Sequence, residues 1–147
     1  MSDILKDFPI TLRFPVHWGD VDALNHVNNV RFFVWFESAR MAYLTRIGLG
    51  SLGHTGVGPI LAATNADYLQ PVVFPANLIA GARVSRIGRS SITMEYAVAD
   101  ADKGTLYARG GGVIVTIRYP NYEKIPVPPE VRAAIETLEG RSIAPPT

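Results

Sequence analysis

At 147 residues the chain is sized for one domain with a substantial core, and 48% apolar against 18% charged residues exclude a disordered chain. A formal net charge of +1 supplies no whole-molecule field for nucleic acid, so no nucleic-acid partner is expected. With no cysteine, a disulfide framework, thiolate metal sites and cysteine nucleophiles are all excluded.

The N-terminal "MSDILKDFPITLRF" lacks the basic start and continuous apolar core of a signal peptide. No run of about 18 apolar residues occurs to span a membrane. The expectation is one soluble, cytoplasmic domain over residues 1–147. From Ile10 to Trp18 the even positions are apolar, a period of two that predicts a half-buried strand, with Pro15 marking an edge or a bulge.

Next comes "HWGDVDALNHVNN", residues 17–29, which gathers Asp20, Asp22, three asparagines and two histidines at one junction. "VRFFVWFESARMAYLTRIGLG" follows, with Phe32, Phe36, Ala39, Tyr43 and Ile47 at helical spacing and Phe33, Val34 and Trp35 widening the apolar surface. Gly48 and Gly50 are stop signals. A helix this apolar must be covered on most sides.

The remaining chain predicts the cover. Residues 58–69 read as a strand ended by Pro71. Leu78, Ala80, Ala82 and Val84 alternate in the next strand, and Ile92, Met94, Tyr96 and Val98 in another, joined by the tight "IGRSS". "DADKG" leads into a last strand ending "GGVIVTIRY", where Gly110 to Gly112 suggest a bulge or a close backbone approach. "VPPEVRAAIETLEG" predicts a short C-terminal helix, proline near its start and glycine after it. The order predicts an α+β fold, a five-stranded antiparallel sheet around one long helix.

Trp18, Asp20, Asp22, Asn25, the run His26-Val27-Asn28-Asn29, and Glu37, Ala39 and Arg40 occur in the order of a known motif, and "ADYLQPVVFPANL" fits its second strand and proline-marked turn. On these residues the chain resembles the hotdog-fold acyl-CoA thioesterases of the 4-hydroxybenzoyl-CoA thioesterase-like family. The resemblance covers nearly the whole chain, and residues 18–40 are its distinctive part. It implies a hotdog fold, hydrolysis of an acyl-CoA substrate, a homodimer or homotetramer, and Asp22 as the catalytic carboxylate. The family turn commonly carries glycine where this chain has Asn25, a residue that tolerates a left-handed backbone.

The chemistry fits a carboxylate without a cysteine or a Gly-x-Ser-x-Gly elbow. A thiolate leaves easily, since thiol pKa values lie near 8.5, so one carboxylate suffices as base or nucleophile. N–H groups at a helix start near Asn29 would polarise the carbonyl. The candidate catalytic set is therefore Asp22, His26 and Asn29. Asp20 is assigned to holding the loop, Asn28 and Asn29 to capping, and Glu37 and Arg40, three apart on the helix, to pairing with each other. His17 and His54 show no metal-ligand spacing with His26, so neither metal nor cofactor is expected.

Arg86, Arg89 and Ser90 bracket the "RIGRS" hairpin, which the resemblance places near the coenzyme A nucleotide; the alternative is a solvated basic turn. Arg118 and Lys124 are weaker candidates. Two further functions share such a fold, an acyl-thioester hydratase or dehydratase using His26 and a non-catalytic acyl-CoA-binding module. Acyl identity, and coenzyme A against a carrier protein, stay open.

Overall fold

The computed structural model describes residues 5–51 and 56–143, so His54 lies outside the described residues. The elements run β1 (Ile10–Pro15), a single 3-10 turn (Trp18–Asp20), α1 (Asn29–Arg46), β2 (Val57–Tyr68), β3 (Asn77–Ile87), β4 (Ser91–Asp100), β5 (Leu106–Arg118), β6 (Glu123–Lys124) and α2 (Pro129–Glu139). The sheet is antiparallel in the order β1-β3-β4-β5-β2, the hotdog arrangement of one sheet packed on a central helix.

Three expectations need adjustment. The first strand stops at Pro15, and Trp18 turns out into a 3-10 turn instead of continuing the alternation. Among the described residues the sheet has six strands, because Glu123–Lys124 pairs with Ile117 and Arg118, beyond the reach of β4, which begins at Ser91 opposite Val115. Two residues cannot display a period, so nothing in the sequence marks β6. α1 is also covered less completely than its composition suggested, with Val30, Val34 and Met41 at 56%, 40% and 42% exposure.

The predicted alternation decides which faces meet. Leu78, Ala80, Ala82 and Val84 from β3, and Ile92, Met94, Tyr96 and Val98 from β4, are buried against Phe32, Trp35, Phe36, Ala39 and Tyr43 of α1. Phe36 stacks on Tyr96 with ring centroids 5.1 Å apart. Among them each Val, Leu, Ile, Met or Phe side chain contributes about 1.5–3 kcal/mol by leaving water. Phe36 fits because Gly110 carries no side chain: a Cβ there would collide with the Phe36 ring and the Asn65 carbonyl. The glycine run is a close approach, and the bulges fall elsewhere, at Leu61/Ala63, Val84/Arg86 and Val98/Ala99.

α2 closes the end opposite the start of α1. Its Glu139 carboxylate accepts the Tyr43 hydroxyl at 2.6 Å and the Val84 N–H at 2.9 Å. Burial, then the Glu139 bond, push the Tyr43 hydroxyl well above the ordinary phenol range. Gly140, at φ 73°, ends the helix as expected. Among the described residues no helix is long and apolar enough to cross a membrane.

Candidate active site

Between β1 and α1 the polar run folds into two nested turns. In the first, Asp20 is 5% exposed, and its carboxylate accepts the His17 N–H at 2.8 Å and pairs with Arg31 Nε at 2.8 Å. Its carbonyl accepts the Asn28 N–H at 2.8 Å. Asp20 therefore fixes the loop to the helix start, as its position implied.

The second turn carries Asp22. Val21 and Val27 form a β-bridge, and the Asp22 N–H donates to the His26 carbonyl at 2.9 Å. Asn25, at the bend, has φ 65°, the left-handed conformation that asparagine tolerates. The Asp22 side chain is half-buried and accepts one hydrogen bond, from the Leu24 N–H at 2.9 Å. The Val27 N–H donates to the Val72 carbonyl at 2.8 Å, fastening the turn to the connection after β2.

At the start of α1 the capping is thorough. Asn28 takes the Val30 N–H on its side chain at 3.1 Å and the Arg31 N–H on its carbonyl at 3.0 Å. Only the Asn29 N–H in this first turn has no acceptor among the described residues. The expected group of free N–H donors thus reduces to one.

Asp22, His26 and Asn29 line one cavity of about 380 Å³, together with Phe32, Tyr68 and Gln70. Sequence reasoning assembled the first three and missed Tyr68 and Gln70. The Tyr68 hydroxyl donates to the Asn29 carbonyl at 3.2 Å, and its ring meets the edge of Phe32 at 5.2 Å. The one available signal was Tyr68 standing at the strand end, immediately before "LQP". A larger cavity of about 590 Å³ lies among β3, β4, the end of α2 and the segment before β1, but its Glu95 and Glu139 carboxylates are engaged by Arg83 and by Tyr43 with the Val84 N–H.

The basic hairpin is not brought to this cavity within the chain. Ser91 pairs with Val115 and Tyr68 with Ala108, seven residues apart on β5. That separates the two ends by about 23 Å at the usual strand rise. Arg86 and Arg89 are exposed there, the Ser90 carbonyl accepts the Thr116 N–H at 2.9 Å, and Arg132 of α2 donates to the Gly88 carbonyl at 2.9 Å. Arg118 pairs with Glu123 at 3.9 Å, and Lys124 is exposed beside it. Glu37 and Arg40 pair at 3.8 Å, and Arg40 also donates to the Tyr96 hydroxyl at 3.5 Å. His17 is exposed, and among the described residues no three His, Cys, Asp or Glu converge to hold a metal ion.

A thioesterase from Thermus thermophilus, crystallised with coenzyme A and Zn, is 34% identical, with a TM-score of 0.82 over 94% of this chain and 99% of its own. The PA2801 protein, a putative thioesterase from Pseudomonas aeruginosa, is also 34% identical, at TM-score 0.77 over 87% of this chain and 98% of its own. The uncharacterized protein YsmA of Bacillus subtilis (strain 168) is 30% identical over 81 residues, a match spanning about half of each chain, 55% here and 54% there. The model of the thioesterase-like superfamily matches residues 16–135, from the end of β1 into α2 and across the whole Asp22 cavity, so the chain belongs to that superfamily.

Proposed function

We propose that the chain hydrolyses acyl-CoA thioesters, with Asp22 as the reacting carboxylate. One observation carries this reading: Asp22 holds a single local hydrogen bond and lines a cavity beside the one unengaged N–H of the α1 start. The similarity to a thioesterase crystallised with coenzyme A supports the choice of carrier.

The acyl oxygen would sit on the Asn29 N–H, at the positive end of α1. As base, Asp22 takes a proton from water, whose oxygen adds to the acyl carbon. The C–S bond then breaks, the thiolate recovers the proton, and free acid and coenzyme A thiol leave. As nucleophile, Asp22 would form a mixed anhydride that water opens to the same products. Both routes require the carboxylate. His26, exposed at the cavity rim, orients the acyl group, and Phe32 supplies an apolar wall.

The same reading includes a homodimer. β2 is the last strand in the sheet order, and along it Ile60, Leu61 and Tyr68 are 39%, 41% and 45% exposed, apolar surface costly to leave open. Two such edges paired antiparallel across a twofold would set the Tyr68 end of one chain beside the Val57 end of the other. Val57 pairs with Arg118, at the hairpin end of the sheet. The partner's Arg86, Arg89 and Ser90 would then serve the coenzyme A nucleotide at a shared site. Two dimers could join further, and a cytoplasmic setting belongs to this reading. Light scattering checks the assembly, and an active monomer would sink it.

The decisive test is release of free thiol from a panel of aliphatic and aromatic acyl-CoAs by the purified protein. Hydrolysis is expected with at least one class, and hydration or binding without thiol release would replace the reading.

A further inference from the structure

The start of α1 offers an acyl oxygen one backbone donor where stabilising a developing oxyanion ordinarily draws on several. Capping by Asn28 has taken the Val30 and Arg31 N–H groups and left that of Asn29. A further donor stands close by in the Tyr68 hydroxyl. It lines the same cavity as Asp22 and lies 3.2 Å from the carbonyl oxygen of Asn29, the residue that carries the free N–H.

Resting on the thioesterase reading above, we infer that the Tyr68 hydroxyl is the second donor to the acyl oxygen, acting beside the Asn29 N–H. Its present bond is exposed and, at 3.2 Å, longer than O–H···O bonds usually are, and so exchanges at small cost. The Asn29 carbonyl keeps its helical partner when the hydroxyl turns away. The ring is held independently, by its edge contact with Phe32 and by its place at the end of β2, paired with Ala108. A rigid ring with a rotatable O–H can follow the charge from substrate to tetrahedral intermediate without moving the backbone. Tyr68 is thereby a catalytic residue by contact with the reacting atoms. The Asp22 proton-transfer step is unchanged by it.

Tyr68→Phe keeps the ring, the Phe32 contact and the strand, and removes only the donor. Expected is a fall in kcat of about 10²-fold with KM within about twofold, across acyl groups of different length. An unchanged kcat, or a loss confined to KM, overturns the inference. Para-aminophenylalanine at position 68 restores an N–H donor on the same ring and should recover most of the lost kcat. It also carries the test if Tyr68→Phe folds poorly, and activity as low as that of the phenylalanine variant would count against the inference. Wild-type protein inactive on every thioester, or a fully active Asp22→Asn, would instead overturn the underlying thioesterase reading. With wild type active and Asp22→Asn inactive, the outcome at Tyr68 bears on the second donor alone.

Discussion

Asp20 and Asp22 stand two residues apart in one loop and meet opposite environments. Asp20 is buried, holds the His17 N–H and Arg31, and anchors Asn28 through its carbonyl. Asp22 is half-buried, keeps one bond to the Leu24 N–H, and faces a cavity. A carboxylate that satisfies its surroundings holds structure, and one left partly unsatisfied beside a concave surface is free for chemistry. The two are one side chain in two employments, separated by which of the two turns each occupies.

The same isosteric change at both positions is the strongest way to break that contrast. Asp22→Asn should keep the melting temperature and lose turnover by about 10²-fold or more, because an amide has nearly the carboxylate's shape but is neither base nor nucleophile. A fully active variant would remove the central claim. Asp20→Asn should do the reverse. The amide can still accept the His17 N–H but loses its charge on Arg31, whose side chain is 37% exposed. The cost is about 1–3 kcal/mol, on the order of 5 °C in melting temperature, with kcat within about tenfold of wild type. Thermal melts read beside thiol-release rates decide it. If both variants lose activity and stability alike, the division of labour is wrong.

A weaker contrast separates the carboxylate cavity from the basic hairpin at the other end of the sheet. Arg86→Ala with Arg89→Ala should raise KM for full coenzyme A thioesters about fivefold at low salt and spare thioesters lacking the nucleotide. The effect should fade as salt rises, because both side chains are exposed. Equal losses for full and truncated substrates would show that the pair does other work.

Much of the fold was legible because its rules are local. Period two in β3 and β4, helical spacing in α1 and the Pro–Gly frame of α2 each fix an element from neighbouring residues. The polar loop was legible for a related reason: Asp22, His26 and Asn29 lie within one short run, so a turn and a helix start must bring them together. Tyr68 was not, because its segment reads only as one strand ended by Pro71. Only the placement of β2 as the far edge beyond β5 sets its end beside the start of α1. The charge of the hairpin was equally plain in the sequence. Its distance from Asp22 follows from the register of Ser91 on Val115 and Tyr68 on Ala108, which no single segment specifies.

The smallest expected effect concerns the bend that turns Asp22 toward the cavity. Asn25 holds φ 65°, where side chains other than glycine, asparagine and aspartate cost about 1–2 kcal/mol. Its N–H donates to the Asp22 carbonyl at 3.0 Å, a bond that any residue but proline can make. Asn25→Gly should therefore keep turnover within about twofold. It removes backbone strain in the folded chain but adds freedom to the unfolded one, and these offset to within about 0.5 kcal/mol. Asn25→Ala should lose about 1 kcal/mol and Asn25→Val more, with turnover falling in the same order as the turn loosens. Urea melts rank the three variants. If Gly proved less stable than Ala, the left-handed backbone would not be what this position demands, and the asparagine side chain itself would have to hold the loop that presents Asp22.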